Sequence, residues 1–231
     1  MFLFNSSYLI YMLPAFILMM LAQWYVNSAY KKWSKVPSQS GLTGAEVARR
    51  LIERAGLHDV DIEQIQSRLG DHYDPREKVL RLSPGVGQST SVAAAAIAAH
   101  ELGHAMQDSQ DYFPLRLRAA LVPAVNIGSY LGWILLMIGF FLNLAGLAWL
   151  GVFVFAGGAV FALATLPVEF NASARARVLL TNAGIITSPQ EQGGVNHVLN
   201  AAAMTYVAAL ITAILQLLYY ASLVLGMGRR R

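Results

Sequence analysis

Four apolar stretches, each about as long as a lipid bilayer is thick, constrain this chain more than any other feature. They are Phe2 to Ala29, Leu121 to Leu142, Leu147 to Leu166 and Met204 to Met227. A helix needs roughly 20 apolar residues to cross about 30 Å of hydrocarbon, and in lipid every backbone amide must find its partner inside the segment. Each stretch is therefore expected to be a membrane helix. Only 13% of the 231 residues are charged and 56% are hydrophobic, which excludes an ordinary soluble domain.

The first stretch reads as a signal anchor over residues 1–30. Its start is uncharged, Lys31, Lys32 and Lys35 follow it, and Trp24, Tyr25 and Trp33 suit a membrane interface, so cleavage is not expected. Residues 121–166 form a transmembrane hairpin turning at Asn143 to Gly146, and 204–231 hold the last span with a basic tail. Between them lie a polar portion, 31–120, and a second polar segment, 167–203, on the same side of the membrane. The expected fold is thus mainly α: a polytopic membrane protein of about four transmembrane helices with a small α+β portion.

Within that portion, Thr43 or Ser40 can cap a helix running through Glu46 and Leu51 to a stop at Gly56. Val60 to Gln66 is strand-like. Asp71 to Glu77 reads as a turn leading into Val79 to Leu82, a short edge strand that either supports the next helix or pairs with an extended peptide. Pro84 to Gln88 reads as a loop, and Ser89 to Ser91 offer N-caps for an alanine-rich helix, Ser91 to Met106. That helix, with an apolar run of about 16 residues, is too short to cross a membrane and suits a buried core. After the hairpin, a helix is expected from Val168 to Thr181 with Asn182 to Gly184 as its stop, then a loop from Ile185 to Gly194.

The alanine-rich helix carries His100-Glu101-Leu102-Gly103-His104. On a helix this spacing places two imidazoles one turn apart on one face, where they can hold one Zn²⁺, with a carboxylate beside them. Zinc lowers the pKa of a bound water toward 7, and Glu101 can take that water's proton and pass it to a leaving amine. A helix whose histidines merely cap or pack is the plainer alternative. The chain has no cysteine, so the metal must be held by His and carboxylate. A third ligand is needed. The extended motif H-E-x-x-H-x-x-G-x-x-H fails at Gln107 and Gln110. Glu169, at the foot of a membrane helix, is the best candidate, ahead of Asp111, Glu77 and Glu191; its alternative role is an interfacial carboxylate paired with Arg175 and Arg177.

Several motifs together resemble the YugP-type membrane zinc metallopeptidases of bacteria over nearly the whole chain. They are Ser-Gly-Leu-Thr-Gly-Ala-Glu at 40–46, Asp-His-Tyr-Asp-Pro-Arg at 71–76, Leu-Ser-Pro at 82–84, Ala-Ala-His-Glu-Leu-Gly-His-Ala at 98–105 and Leu-Pro-Val-Glu-Phe at 166–170. That group is similar to the wider gluzincins, including HtpX-like membrane proteases, which implies zinc held by His100, His104 and Glu169. HtpX-like enzymes carry an Asp four residues after the third ligand, supporting a ligand histidine; here Ser173 occupies that position and can hydrogen-bond without a charge. His197, Asn200, Tyr206 and His72 are possible stabilisers of an oxyanion or, more simply, structural residues.

These readings imply a zinc-dependent endopeptidase working near a membrane surface on protein or peptide substrates, with no nucleic acid partner, since the net charge of +4 is modest and dispersed. The rival is a non-catalytic membrane adaptor or chaperone with a structural zinc, and Glu101 argues against it, because a closed site needs no carboxylate beside an open position. A protease with zinc deep in the bilayer would need a carboxylate inside another span, and none of the four apolar cores has one. Lys31, Lys32, Lys35, Arg116, Arg118, Arg175 and Arg177 place the catalytic side in the cytoplasm of a bacterial membrane, while the tail Arg229 to Arg231 speaks against it.

Overall fold

The computed structural model describes residues 6–67 and 70–228. The first residues of the leading apolar stretch and the tail Arg229 to Arg231 lie outside the described residues. In chain order the elements are α1 (Ser6–Trp33), α2 (Gly44–Ala55), β1 (Asp61–Gln64), β2 (His72–Asp74), β3 (Val79–Leu82), α3 (Pro84–Gly87), α4 (Val92–Ser109), α5 (Phe113–Phe141), α6 (Ala145–Phe155), α7 (Gly157–Asn182) and α8 (Pro189–Gly228). The architecture is mainly helical, and four candidate spans fall on α1, α5, α6 with α7, and α8. The chain divides into two compact units, one made of 1–23, 116–166 and 205–231, the other of Trp24–Leu115 and Pro167–Met204.

The first unit is the apolar one. Its hairpin turns at Leu142 to Leu144, with Asn143 at φ 55°, and is held by close backbone approach: a Cβ on Gly139 would stand 2.4 Å from the Ala148 nitrogen, and one on Gly151 2.5 Å from that of Leu136. Without a hydrophobic drive between helices in lipid, such small residues supply the association. Large apolar side chains, among them Ile10, Phe16, Ile127 and Phe153, point outward, as lipid-facing positions should. The expected second limb, Leu147 to Leu166, is instead two helices broken at Ala156, where Gly157 and Gly158 are poor helix formers.

The second unit builds a core around α4. A capping box fixes the start of α2, with the Glu46 amide donating to Thr43 Oγ1 and the Thr43 amide to Glu46 Oε2, and Gly56 at φ 68° ends it. Val47, Ala48 and Leu51 of α2 and Leu80 and Leu82 of β3 are buried with the alanines of α4. Methyl-sized side chains let α4 be covered on nearly every side.

Five expectations are corrected here. Val79 to Leu82 is not an edge strand: the sheet order is β1-β3-β2, with β1 parallel and β2 antiparallel to a central β3. Three apolar residues in four, all buried, fit a strand covered on both edges. The expected turn Asp71 to Glu77 contains β2, which with β1 forms the two edges of the sheet. Pro84 to Gln88 is not all loop, since Pro84 opens the single turn of α3. Finally, the helix expected to begin at Val168 starts earlier and Ile185 to Gly194 is not all loop: α7 runs from Gly157 through Pro167 to Asn182, and α8 begins at Pro189. Proline inside a membrane-associated helix is tolerated because neighbouring groups re-satisfy the one freed carbonyl.

Candidate metal centre

The start of α4 is fixed by Ser91, whose hydroxyl accepts from the Ala94 amide at 3.2 Å. From there the helix carries His100 and His104 onto one face, rings 4.8 Å apart and nearly perpendicular. Facing them on α7 is Glu169, buried at 2% exposure. The two helices meet closely at Gly103, where a Cβ would stand 2.6 Å from the Ala172 carbonyl oxygen, so only glycine allows this approach.

Nε2 of His100 lies 3.3 Å from Glu169 Oε2, and Nε2 of His104 lies 3.7 Å from it. Ligand bonds of about 2.0–2.1 Å in tetrahedral geometry put neighbouring donors roughly 3.3 Å apart. The donors of all three residues lie within 4.8 Å of one another, a spacing that one zinc ion can draw together. Two imidazoles and a carboxylate are also the donor set that zinc takes when one position stays open.

The other ring nitrogens are held as well. Nδ1 of His100 is 3.2 Å from Ser173 Oγ, and Nδ1 of His104 is 3.0 Å from Gln107 Oε1. Gln107, fully buried, donates through Nε2 to the Val168 carbonyl at 2.8 Å and to Asn171 Oδ1 at 3.0 Å. Arg175 Nε donates to the same Asn171 oxygen at 2.6 Å. Arginine can only donate and a carbonyl can only accept, so the amide orientations follow along the chain. Gln107 must turn its oxygen to His104, whose Nδ1 then carries a proton, leaving Nε2 as the ring nitrogen on the Glu169 side.

Glu101 is buried beside this cluster and its Oε2 accepts from the Tyr73 amide of β2 at 3.2 Å. Burial, foremost, and the nearby Glu169 and Asp71 carboxylates push its pKa up, against the pull of His100 and His104. For His104, burial opposes protonation, but the contact with Glu169 and the charge of Glu101 outweigh it and the imidazole is raised. Tyr73 also fastens β2 to α4, its hydroxyl donating to Asp108 Oδ2 at 2.9 Å.

Of the other candidates, His197 accepts the Trp33 indole N–H at 3.0 Å and stacks near Tyr25, which commits it to an aromatic cluster. His72 is exposed, its Nδ1 2.7 Å from the Gly70 carbonyl. Tyr206 lies on α8 in the other unit. Asn200 receives Arg177 Nη2. Arg175 serves Asn171 and Gln110, and Arg177 serves Asn196 and Asn200, so neither is the partner that an interfacial role for Glu169 would require. Among the rival carboxylates, Glu77 pairs with Arg81, and Glu191 caps α8 while accepting from Ser38 and Gln39. Gln107, Asn171 and the Tyr73 amide were not singled out by the sequence. Gln107 was visible only as one turn beyond His104 on the same face.

Residues 8–225 match the model of the family described as "Putative neutral zinc metallopeptidase". The chain belongs to this zinc metallopeptidase family. This peptidase is also 43% identical over 205 residues to "Putative membrane protease YugP" of Bacillus subtilis (strain 168), covering 89% of this chain and 91% of that protein. No solved structure matches it. Zinc is the peptidase's cofactor, the His-His-Glu cluster fits it, and the four apolar helices make it a membrane protein.

Proposed function

We propose that this membrane zinc peptidase is an endopeptidase in which His100, His104 and Glu169 hold the metal and Glu101 is the general base. The observation that carries the reading is the convergence of three donors from two helices at zinc spacing, with a fourth, carboxylate side chain beside them and outside the donor set. Bound zinc supplies Lewis-acid polarisation of the scissile carbonyl and lowers the pKa of water toward 7. Glu101 takes the attacking water's proton and delivers it to the departing amine, a role favoured by a carboxyl whose pKa is raised toward working pH.

The substrate's path follows from β2. As one of the two outer strands of the sheet it leaves one edge unpaired by β3, and the Tyr73 amide on that strand points at Glu101. An extended peptide adding to this edge runs past the base, with the Tyr73 amide transferred from Glu101 to a substrate carbonyl. Glu169 follows Leu166, the end of the apolar stretch, by less than one helical turn on α7, which supports a reading with the chemistry at the bilayer surface. The basic residues flanking the spans support an orientation of that surface toward the cytoplasm.

The test compares wild type with Glu101→Gln, each with zinc measured, on an unfolded or membrane-protein substrate. Glu101→Gln is expected to retain a full complement of zinc and to lose hydrolysis by at least about 10²-fold. Equal activity would refute the assignment. Glu169→Ala is expected to lose zinc, and a variant binding it as tightly as wild type would return the third ligand to Asp111 or another carboxylate.

A further inference from the structure

A cavity of about 170 Å³ opens between the second half of α7 and the start of α8, among residues that the zinc centre does not use. Its floor is Leu180, Ile186 and Val195, all buried, and its rim is Arg177, Thr181, Gln192 and Asn196. Sites for drug-sized ligands run to about 300–1,000 Å³, so this one suits a single side chain.

The chemistry of the rim is one-sided. Arg177 is half-buried, its Nε donating to Asn196 Oδ1 and its Nη2 to Asn200 Oδ1, each at 2.7 Å. These oxygens satisfy the geometry but carry no charge, and among the described residues no carboxylate pairs with Arg177. Glu191, adjacent to Gln192 in sequence, is turned inward to Ser38, Gln39 and Ser188. Nη1 of Arg177, the Thr181 hydroxyl and the Gln192 amide remain as donors around the opening. A guanidinium drawn partly out of water ordinarily gains a planar anion as its counter-charge.

We propose that this cavity binds the C-terminal residue of a peptide, its carboxylate on Arg177 and its apolar side chain on the floor. A carboxylate matches the guanidinium fork, and the floor selects an apolar terminus over a bare inorganic anion. The ligand class rests on membership of a peptidase family, whose products carry new carboxyl termini. The site itself needs neither zinc ligation nor Glu101, so its failure and the failure of the catalytic assignment are separable.

Isothermal titration of the zinc-loaded full chain in detergent tests this, with N-acetyl-alanyl-leucine as the probe. The acid is expected to bind, and its C-terminal amide to bind at least about tenfold more weakly, as the loss of a charge-assisted contact implies. Arg177→Gln should weaken the acid by a similar factor. Should that variant fail to fold, Thr181→Trp decides: it fills the cavity from the rim, leaves both asparagine contacts of Arg177 in place, and is expected to weaken binding likewise. The proposal is overturned if the acid binds the variants as well as wild type, which would place it on the metal, or if inorganic phosphate binds as tightly as the acid.

Discussion

Gln107 is where the proposed metal centre is most sharply testable, because one side chain does three things at once. It is fully buried, its oxygen receives the His104 Nδ1–H, and its two N–H groups go to the Val168 carbonyl and Asn171. In Gln107→Leu the volume is roughly kept and all three bonds are lost. Val168 has its own helical amide partner and Asn171 keeps Arg175, so the group left stranded is the imidazole N–H of His104. One stranded buried donor costs about 1–3 kcal/mol of stability. Loss of an outer partner of a zinc-binding histidine weakens the metal by roughly 10 to 100-fold. Gln107→Glu separates the two effects: it still accepts from His104 but sets a carboxylate against the Val168 and Asn171 oxygens, so it should lose stability while holding zinc better than Gln107→Leu. Competition with a chromophoric chelator reads the affinity, and thermal unfolding with and without zinc reads the stability. If Gln107→Leu matches wild type in both, the chain from Arg175 to His104 plays no part in orienting the ligand.

Gly103→Ala places a methyl carbon against the Ala172 carbonyl oxygen, so α4 and α7 must part; about 1–3 kcal/mol of stability and most of the bound zinc should be lost, as unfolding and metal analysis would show. In the zinc-free protein Glu101 has a pKa raised above its unfolded value, so the folded state binds the extra proton and stability falls as pH rises through the window between the two. Zinc-free Glu101→Gln should therefore be more stable than wild type at pH 7 and equal to it below about pH 4, by denaturant titration; the opposite order would show that burial does not dominate at this carboxyl. A reporter inserted within Pro37 to Gln88 should read as cytoplasmic and one at the C-terminus as external, and the reverse result would give the orientation to the Arg229 to Arg231 tail.

The parts of the fold that were legible are those set by local spacing. The i, i+4 histidines of α4, the Thr43 box answered by Gly56, and the lengths of the apolar stretches each need only one segment to be read. The strand order could not be read that way, since β1 reaches β3 across the β2 hairpin and nothing local distinguishes a central from an edge strand in four residues. The buried trio Val79, Leu80 and Leu82 was the available clue. The early start of α8 had a sequence signal: Ser188-Pro189-Gln190-Glu191 combines a capping box with proline at the first helical position, and the structure uses it, with Ser188 Oγ donating to Glu191 Oε2 at 2.9 Å. Gln107 was illegible for a different reason, because its partners on α7 are brought to it only by tertiary packing.

Both histidines of the centre lean on neutral groups, a hydroxyl at Ser173 and an amide at Gln107. A carboxylate in place of Ser173 would hold His100 more firmly and make it a stronger donor. It would also put a third negative charge into a pocket where Glu169 and Glu101 already lie close. Glu101 is pushed up by burial and by Glu169 as it stands. On its proposed role it must be ionised to accept a proton, and a further nearby carboxylate would drive it toward the protonated form at neutral pH. A hydroxyl fixes the His100 ring without that penalty. The neutral partner at 173 is thus compatible with, and even favoured by, a base buried as deeply as Glu101, and the firmness lost at His100 is offset by the close α4 to α7 contact at Gly103, which holds both imidazoles against Glu169 through the backbone.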